Sequence, residues 1–281
     1  MQNTLAYKAK IFNDLHHADG IFVMPNAWNA GSASLLETAG FPAIGTTSAG
    51  IAFCLGQPDY EDALSRAEAL EETQRITQAV NIPVSADAEN GYGHDPEEVA
   101  ETIRLFAQAG AVGASIEDYS ASYGTRLYER EHAVERIQAA KAAAGNLEIP
   151  FTLTARSECY LVDHPNAFEE SVHRANLYRE AGADCLYVPG VSDADTIAAL
   201  AREIQGPINV VMGLSGNPLT VTALEDLGVK RISIGGSLAR ASLGLIRRAA
   251  QEIRSQGTFE FANGQIPDTE LCEYFSARRA E

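Results

Sequence analysis

Along the chain, amphipathic stretches alternate with short apolar ones, and the punctuation between them repeats. Four stretches with helical spacing end in glycine and run straight into apolar residues: Ala39-Gly40-Phe41, Ala109-Gly110-Ala111, Ala181-Gly182-Ala183 and Leu227-Gly228-Val229. Glycine after a helix takes the left-handed conformation that stops it, so each marks a helix-to-strand turn. Three further apolar segments enter through proline, at Asn81-Ile82-Pro83, Glu148-Ile149-Pro150 and Gly206-Pro207-Ile208. Proline cannot continue a helix and tolerates the first position of a strand. With a first strand at 21–24, the pattern predicts eight strands near 21–24, 42–47, 83–87, 112–117, 151–156, 184–188, 208–212 and 231–235.

Helical spacing fills the gaps, as where Val99, Ile103 and Phe106 oppose Glu97, Glu98 and Glu101. Strands such as Phe151-Thr152-Leu153-Thr154-Ala155 are apolar and β-branched, as buried parallel strands are. Eight strands alternating with helices close most economically as a (β/α)8 TIM barrel, and 281 residues suit one such domain over 1–281. A doubly wound open sheet is the alternative, but it needs a strand-order switch of which the sequence gives no sign. The segment 257–281 (Phe259, Phe261, Leu271, Tyr274, Phe275) holds too many aromatics for a free tail. It is expected to be a helical extension packing on its own barrel or on a neighbouring subunit.

Composition narrows the function. A net charge of −17 repels phosphate backbones and argues against nucleic acid as a partner. Cys54, Cys159, Cys185 and Cys272 form no paired motif, so they read as reduced, mostly packing residues, and zinc is not expected. No apolar run nears the roughly 20 residues that span a bilayer. Residues 1–10 lack the features of a signal peptide, so no membrane partner and a cytoplasmic location are expected.

In a barrel the chemistry sits at the C-terminal strand ends. Those ends carry Asn26 and Trp28, Thr47-Ser48-Ala49-Gly50, Asp87 and Glu89, Glu117 and Asp118, Arg156 and Glu158, Asn209, and Gly235-Gly236-Ser237. Carboxylates crowded on one rim need a cation or protons. Oxygen ligands without His or Cys suit Mg2+ or Mn2+. Helix capping accounts for Asp95 before Pro96-Glu97-Glu98 but fits Asp87 and Glu117 poorly, because both lie inside predicted strands. Arg156 ends an apolar strand and must be paired, either structurally with Glu158 or Glu117 or with a substrate carboxylate. The Thr47–Gly50 run offers successive N–H groups as an anion nest, although a tight turn of small residues reads the same. For the glycines of Gly213-Leu214-Ser215-Gly216 and Gly235-Gly236-Ser237, close packing is favoured over a phosphate cradle. His94 follows the third-strand motif and is expected at the surface rather than as a base.

Taken together, Ser85-Ala86-Asp87-Ala88-Glu89-Asn90-Gly91-Tyr92-Gly93, Ser115-Ile116-Glu117-Asp118 and Ala155-Arg156-Ser157-Glu158 resemble the signature segments of the isocitrate lyase/phosphoenolpyruvate mutase superfamily. Leu55-Gly56-Gln57-Pro58-Asp59 and Pro25-Asn26-Ala27-Trp28-Asn29 are similar to its loop after the second strand and its first strand end. The resemblance runs from about residue 8 to about 250 and is specific to the superfamily, not to one reaction. It implies Asp87 as the main protein ligand of Mg2+, with Asp59, Glu89 and Glu117 reaching the ion directly or through its waters. It further implies that Thr47, Ser48, Ala49 and Gly50 hold the carboxylate of a 2-oxo acid, with Trp28 and Arg156 at the substrate and Asn209 a candidate for its distal carboxylate. A homodimer or homotetramer that exchanges C-terminal helices is implied as well.

One departure bears on the reaction. The superfamily's C–C lyases carry a Lys-Lys/Arg-Cys-Gly-His loop after the fourth strand. Here the stretch from Tyr119 to Glu129 has no Cys, His or Lys, nor the Lys and Asn of the phosphonopyruvate-handling members. The expectation is therefore a Mg2+-dependent lyase or decarboxylase of an oxaloacetate-like 2-oxo or 2-hydroxy acid, acting through a metal-stabilised enolate. Tyr123, Arg126 and Glu129 would close over the substrate and, with Arg156, form the catalytic set. The alternatives are a phosphonopyruvate-type P–C bond hydrolase and a non-catalytic 2-oxo acid binding protein. A generic phosphate-binding barrel is the fallback on fold alone.

Overall fold

The computed structural model describes residues 4–60, 62–124, 126–214 and 218–279. The first strand that the sequence predicts is divided by Pro25 into β1 (Phe22–Met24) and β2 (Asn26–Ala27). Proline has no N–H to donate, so the ladder breaks there, while its carbonyl still accepts from Gly45 N at 2.9 Å. β1 pairs with β9 (Arg231–Ser233) and β2 with β3 (Ile44–Thr46), both parallel. Between them the parallel ladder runs through β4 (Val84–Asp87), β5 (Gly113–Glu117), β6 (Thr152–Arg156), β7 (Cys185–Tyr187) and β8 (Ile208–Val211). The architecture is thus the predicted (β/α)8 barrel, nearly closed, with its first strand in two pieces.

The helices follow the predicted punctuation: α1 (Leu5–His17), α2 (Ala30–Thr38), α3 (Ser48–Cys54), α4 (Arg66–Ala79), α5 (Pro96–Gln108), α6 (Arg130–Gly145), α7 (Ala167–Glu180), α8 (Ala194–Glu203) and α9 (Val221–Asp226). Gly40, Gly110, Gly182 and Gly228 have φ of 88°, 93°, 105° and 87°, the left-handed conformation expected of helix stops. α5 starts at Asp95-Pro96 with the Asp95 N–H donating to Glu98 Oε2 at 3.2 Å, which accounts for those acids as a capping box. Its buried face is Val99, Ile103 and Phe106, as the spacing predicts. At the N-terminal ends of the strands, α1 lays Phe12 against Phe22, Met24, Ala43 and Val112. A side chain at Gly113 would meet Phe12 Cε1 at 2.8 Å and the Thr152 carbonyl at 2.7 Å, so this strand start must be glycine.

The chain divides into two compact units, Met1–Leu238 and Ala239–Glu281. Within the second, Glu252 on α10 (Ser237–Gln256) accepts from the Thr258 hydroxyl and from the N–H groups of Glu260 and Phe261. On α11 (Asp268–Arg279), Tyr274 and Phe275 meet edge to face at 4.9 Å. Ile246 and Phe259 are 63% and 64% exposed in the single chain. No helix of the described residues is long and apolar enough to cross a membrane. Cys159 and Cys185 are buried packing residues as expected, whereas Cys54 and Cys272 are exposed; all four are free thiols.

Candidate active site

Four strand ends converge on Arg156. The last residue of β6, it points its Nη1 at Asp87 Oδ1 (3.1 Å), Nη2 at Glu117 Oε2 (2.9 Å) and Nε at Glu158 Oε1 (2.7 Å). The residue pairing Glu117↔Arg156 across β5 and β6 sets this arrangement in the backbone. Both structural partners that the sequence offers Arg156 are thus used, and Asp87 is a third. The Tyr187 ring lies 5.1 Å from the guanidinium carbon, a cation–π contact from β7. Glu158 in turn is positioned by Asp118, whose Oδ1 accepts the Glu158 N–H at 2.8 Å. Asp118 Oδ2 accepts from Arg174 Nη1 (3.0 Å) and the Tyr178 hydroxyl (2.6 Å), so a second buried ion pair braces the first.

Asp87 gathers the substrate-side elements. Ser48 donates both its N–H (3.0 Å) and its hydroxyl (2.9 Å) to Asp87 Oδ2, while Ser115 Oγ reaches Oδ1 at 3.3 Å. Thr46 Oγ1 accepts the Asp87 N–H at 2.8 Å. The predicted anion nest is therefore the start of α3: Thr47 is its N-cap, accepting from Gly50 N at 3.3 Å, and Ser48 is turned onto Asp87. Gly236 lets this helix end approach, since a side chain there would meet Ala49 Cβ at 3.2 Å. Trp28 is half-buried against the main core, with its N–H held by Ser32 Oγ at 3.1 Å. A side chain at Gly235 would meet Leu214 Cδ2 and Val211 Cγ2, both at 3.5 Å, whereas Ser215 and Gly216 lie outside the described residues.

The charge balance is acidic. Burial, then the Asp87 charge, raises Asp59 to about 6 against the pull of Arg156. Burial, then Asp87, Asp59 and Asp62, raises Glu89 to about 8. Burial also pushes Glu117 well above the ordinary carboxylate range, opposed by Arg156 and reinforced by Glu158 and Asp87. One guanidinium does not neutralise Asp59, Asp87, Glu89, Glu117 and Glu158. The second Glu158 oxygen is buried without a hydrogen-bond partner among the described residues. An all-oxygen, net-negative cluster fits a hard divalent cation. Among the described residues, however, no three Asp, Glu, His or Cys side chains are arranged to hold one ion between them. Such a cluster suits an ion taken by one carboxylate and otherwise hydrated, which is how Mg2+ is usually held.

The predicted loop residues stand apart from this cluster. Tyr123 packs against Tyr128 (4.5 Å), His94 (5.6 Å) and His132 (6.4 Å, stacked). Arg126 and Glu129 are exposed, and Arg126 has φ 64°. The loop is tied to the segment after α3: Asp62 Oδ2 accepts from Ser120 Oγ and Ser122 N, both at 2.9 Å. His94 is exposed as expected, but its Nδ1 lies 2.7 Å from the buried Tyr128 hydroxyl. Asn209 is not a free ligand either: it accepts from Arg231 Nε (2.8 Å) and donates to Ser233 Oγ (2.9 Å).

Sequence reasoning missed several residues. Tyr92 sits with Glu89 on a cavity of about 360 Å3, and its hydroxyl is buried with no partner among the described residues. Both residues adopt left-handed backbone, Glu89 at φ 44° and Tyr92 at φ 58°. The position of Tyr92 between Gly91 and Gly93 is the signal that the sequence offers for it. A second, smaller cavity of about 50 Å3 is walled by Asp87 and Arg156 together with Tyr187, Asn209, Arg231 and Ser233.

Comparison with known proteins agrees with this frame. A family model described as phosphoenolpyruvate phosphomutase matches residues 12–254. An uncharacterized protein of Mycobacterium tuberculosis is 36% identical over 243 residues, covering 86% of this chain and 88% of that one. The 2-methylisocitrate lyase of Aeropyrum pernix is 30% identical over 256 residues, covering 88% of this chain and 80% of the lyase. A crystal structure from Burkholderia cenocepacia J2315, classed as a lyase/mutase, superposes with a TM-score of 0.93 at 50% identity over 97% of this chain and 96% of that one. The chain belongs to the phosphoenolpyruvate phosphomutase family, and through it to the isocitrate lyase/phosphoenolpyruvate mutase superfamily of lyases and mutases.

Proposed function

We propose that this protein is a divalent-metal-dependent lyase or decarboxylase that breaks a bond at C3 of a small 2-oxo or 2-hydroxy dicarboxylic acid of oxaloacetate type. One observation carries the reading: Asp87 is bonded at once to Ser48 at the start of α3 and to Arg156 of β6, so the anion-holding elements and the acidic cluster form one site. Mg2+ or Mn2+ on Asp87, with Asp59, Glu89 and Glu117 around it directly or through waters, would supply the Lewis acidity that stabilises enolate charge. Arg156 and the N–H groups of Thr47, Ser48, Ala49 and Gly50 orient the substrate carboxylate, and Trp28 bounds it.

The chain's own residues would act mainly by placement. A 2-oxo carboxylate entering beside Ser48 competes for donors that Asp87 now uses, so substrate and cation exchange partners around the same carboxyl group. Tyr123, Arg126 and Glu129 reach the substrate only if the 119–129 loop leaves its aromatic packing. That packing favours a second reading, a 2-oxo acid binding protein without turnover. The C-terminal unit, with its exposed Ile246 and Phe259, supports a homodimer or homotetramer that exchanges these helices.

The test is pyruvate release from oxaloacetate and a panel of 2-oxo, 2-hydroxy and phosphono acids, with Mg2+, with EDTA, and in Asp87→Ala. Metal-dependent release lost in the variant supports the lyase. Metal-dependent binding of a 2-oxo acid without any cleavage supports the binding protein and sinks the lyase.

A further inference from the structure

Arg231 is 2% exposed, at the start of β9, and carries its charge into the barrel interior. Guanidinium stays protonated, and a buried cation is normally matched by a carboxylate. Here every hydrogen-bond partner is neutral. Nε donates to Asn209 Oδ1 (2.8 Å), Nη2 to Thr154 Oγ1 (3.1 Å) and Nη1 to His16 Nε2 (3.1 Å). His16 Nδ1 lies 2.8 Å from the Phe12 carbonyl, an acceptor only, so Nδ1 carries the ring proton and Nε2 is the lone-pair acceptor for Arg231. The three bonds leave two N–H groups of the guanidinium with no acceptor among the described residues. No carboxylate among those residues forms an ion pair with it.

The same guanidinium borders the interior cavity of about 50 Å3. At roughly 10–15 Å3 per water-sized position, that is room for about three to five heavy atoms. The remaining wall mixes apolar Met24 and Ala86 with the Ser115 and Ser233 hydroxyls, and it carries Asp87, whose charge is matched by Arg156, so Arg231 is the unmatched charge. We infer that this cavity is an anion site centred on Arg231, shaped for a planar oxyanion of three or four heavy atoms, such as a carboxylate group or bicarbonate. The ion supplies the counter-charge that the fold omits, and Arg231, Asn209 and Ser233 form its floor. The source is either a free oxyanion or the carboxylate terminus of a larger acid.

Thermal unfolding is followed in chloride-free buffer with EDTA, so that no divalent cation on Asp87 contributes to the response. Formate, nitrate and bicarbonate are titrated individually, oxaloacetate in a parallel series, and sulfate at matched ionic strength serves as the oversized control. A saturable rise in Tm of several degrees with the free planar ions assigns a free oxyanion; a rise with oxaloacetate alone assigns a carboxylate terminus. Asn209→Asp places a carboxylate on Arg231 Nε within the fold, and Arg231→Met removes the charge. Both variants are expected to lose the anion response, and Asn209→Asp to do so with the folded protein intact. No saturable response in the wild type, or an unchanged response in Asn209→Asp, overturns the site.

Discussion

Ser48 presents its backbone N–H and its hydroxyl to the same oxygen, Asp87 Oδ2, at 3.0 and 2.9 Å. Two donors from the start of α3 thus orient a carboxylate at the end of β4. Hydrogen bonds to charged groups are worth about 1.5–3 kcal/mol, so losing the hydroxyl alone should loosen Asp87 by roughly tenfold to a hundredfold in whatever it binds. Ser48→Ala is expected to weaken Mn2+ binding, followed by titration calorimetry, more than it weakens the fold, followed by denaturant unfolding. Equal Mn2+ affinity in variant and wild type would show that Asp87 is not the carboxylate that holds the ion.

Arg156 pairs with three of the acidic side chains of the cluster, Asp87, Glu117 and Glu158. Substituting Arg156→Met leaves Asp87, Glu117 and Glu158 buried without their counter-charge, a change that typically costs about 3–5 kcal/mol. The expected signature is a protein whose urea midpoint falls sharply in EDTA and recovers in part with millimolar Mg2+. Recovery without any dependence on divalent cation would mean that the acids simply protonate.

Much of this was legible beforehand, for identifiable reasons. Helix-stopping glycines and strand-entering prolines are local signals, and they locate seven of the eight barrel strands to within about two residues. Asp87, Glu117 and Arg156 were readable because a charged residue closing an apolar strand of a barrel has few places to be. The division of the first strand at Pro25 was not, because hydropathy does not report which N–H groups the ladder needs. Nor was the pairing of His16 with Arg231, which are 215 residues apart and meet only once α1 packs under the barrel. The loop residues Tyr123, Arg126 and Glu129 were placed by analogy of position; their conformation depends on Asp62, a partner from another loop.

Asn26 fastens the seam that Pro25 opens. Its Nδ2 donates to the Thr46 carbonyl at 2.7 Å, and its Oδ1 accepts from the N–H groups of Ile234 and Gly235, both at 2.9 Å. Asn26→Ala strands three backbone groups, at about 1–3 kcal/mol for each one left buried and unpaired. Gly45→Ala attacks the same seam sterically, since its new carbon would lie 2.8 Å from Asn26 Nδ2. Both variants should lower the denaturant midpoint strongly, and the double variant should cost less than the sum, because the clash disappears with the asparagine. Additive losses would place the two effects in separate parts of the seam.

His16 gives the barrel floor a pH dependence of defined sign. Burial, then the charge of Arg231, lowers its pKa to about 3 from the ordinary 6.5. The unfolded chain therefore binds a proton that the folded chain refuses between those values, and stability rises with pH across that window. The contribution is complete above about pH 6.5 and is lost progressively as pH falls toward 3, by up to about 1.4 kcal/mol per unit. Urea midpoints measured from pH 7 down to pH 4.5 should show this slope in the wild type. In His16→Gln, which offers Arg231 an acceptor without a titrating ring, the slope should be shallower. Parallel profiles would assign the acid sensitivity to the carboxylates instead.

Tyr92 separates stability from function most directly. Its hydroxyl is buried without a hydrogen-bond partner among the described residues, and its backbone is held at φ 58°, an unfavourable conformation for a bulky residue. Burial, then the charges of Glu89, Asp87 and Glu117, keeps the phenol protonated far beyond its usual range, so it is a permanent donor facing the acidic cluster. A buried unpaired hydroxyl is a cost to the fold, and removing it is neutral or stabilising by up to about 1 kcal/mol. If the hydroxyl exists to meet substrate or the hydration shell of the cation, Tyr92→Phe gains stability and loses turnover. The expected result is an equal or higher urea midpoint together with a fall of roughly tenfold in kcat/KM for the best 2-oxo acid, about what one neutral hydrogen bond contributes. An unchanged kcat/KM would leave Tyr92 as a packing residue against Phe106, whose ring lies 6.2 Å from its own.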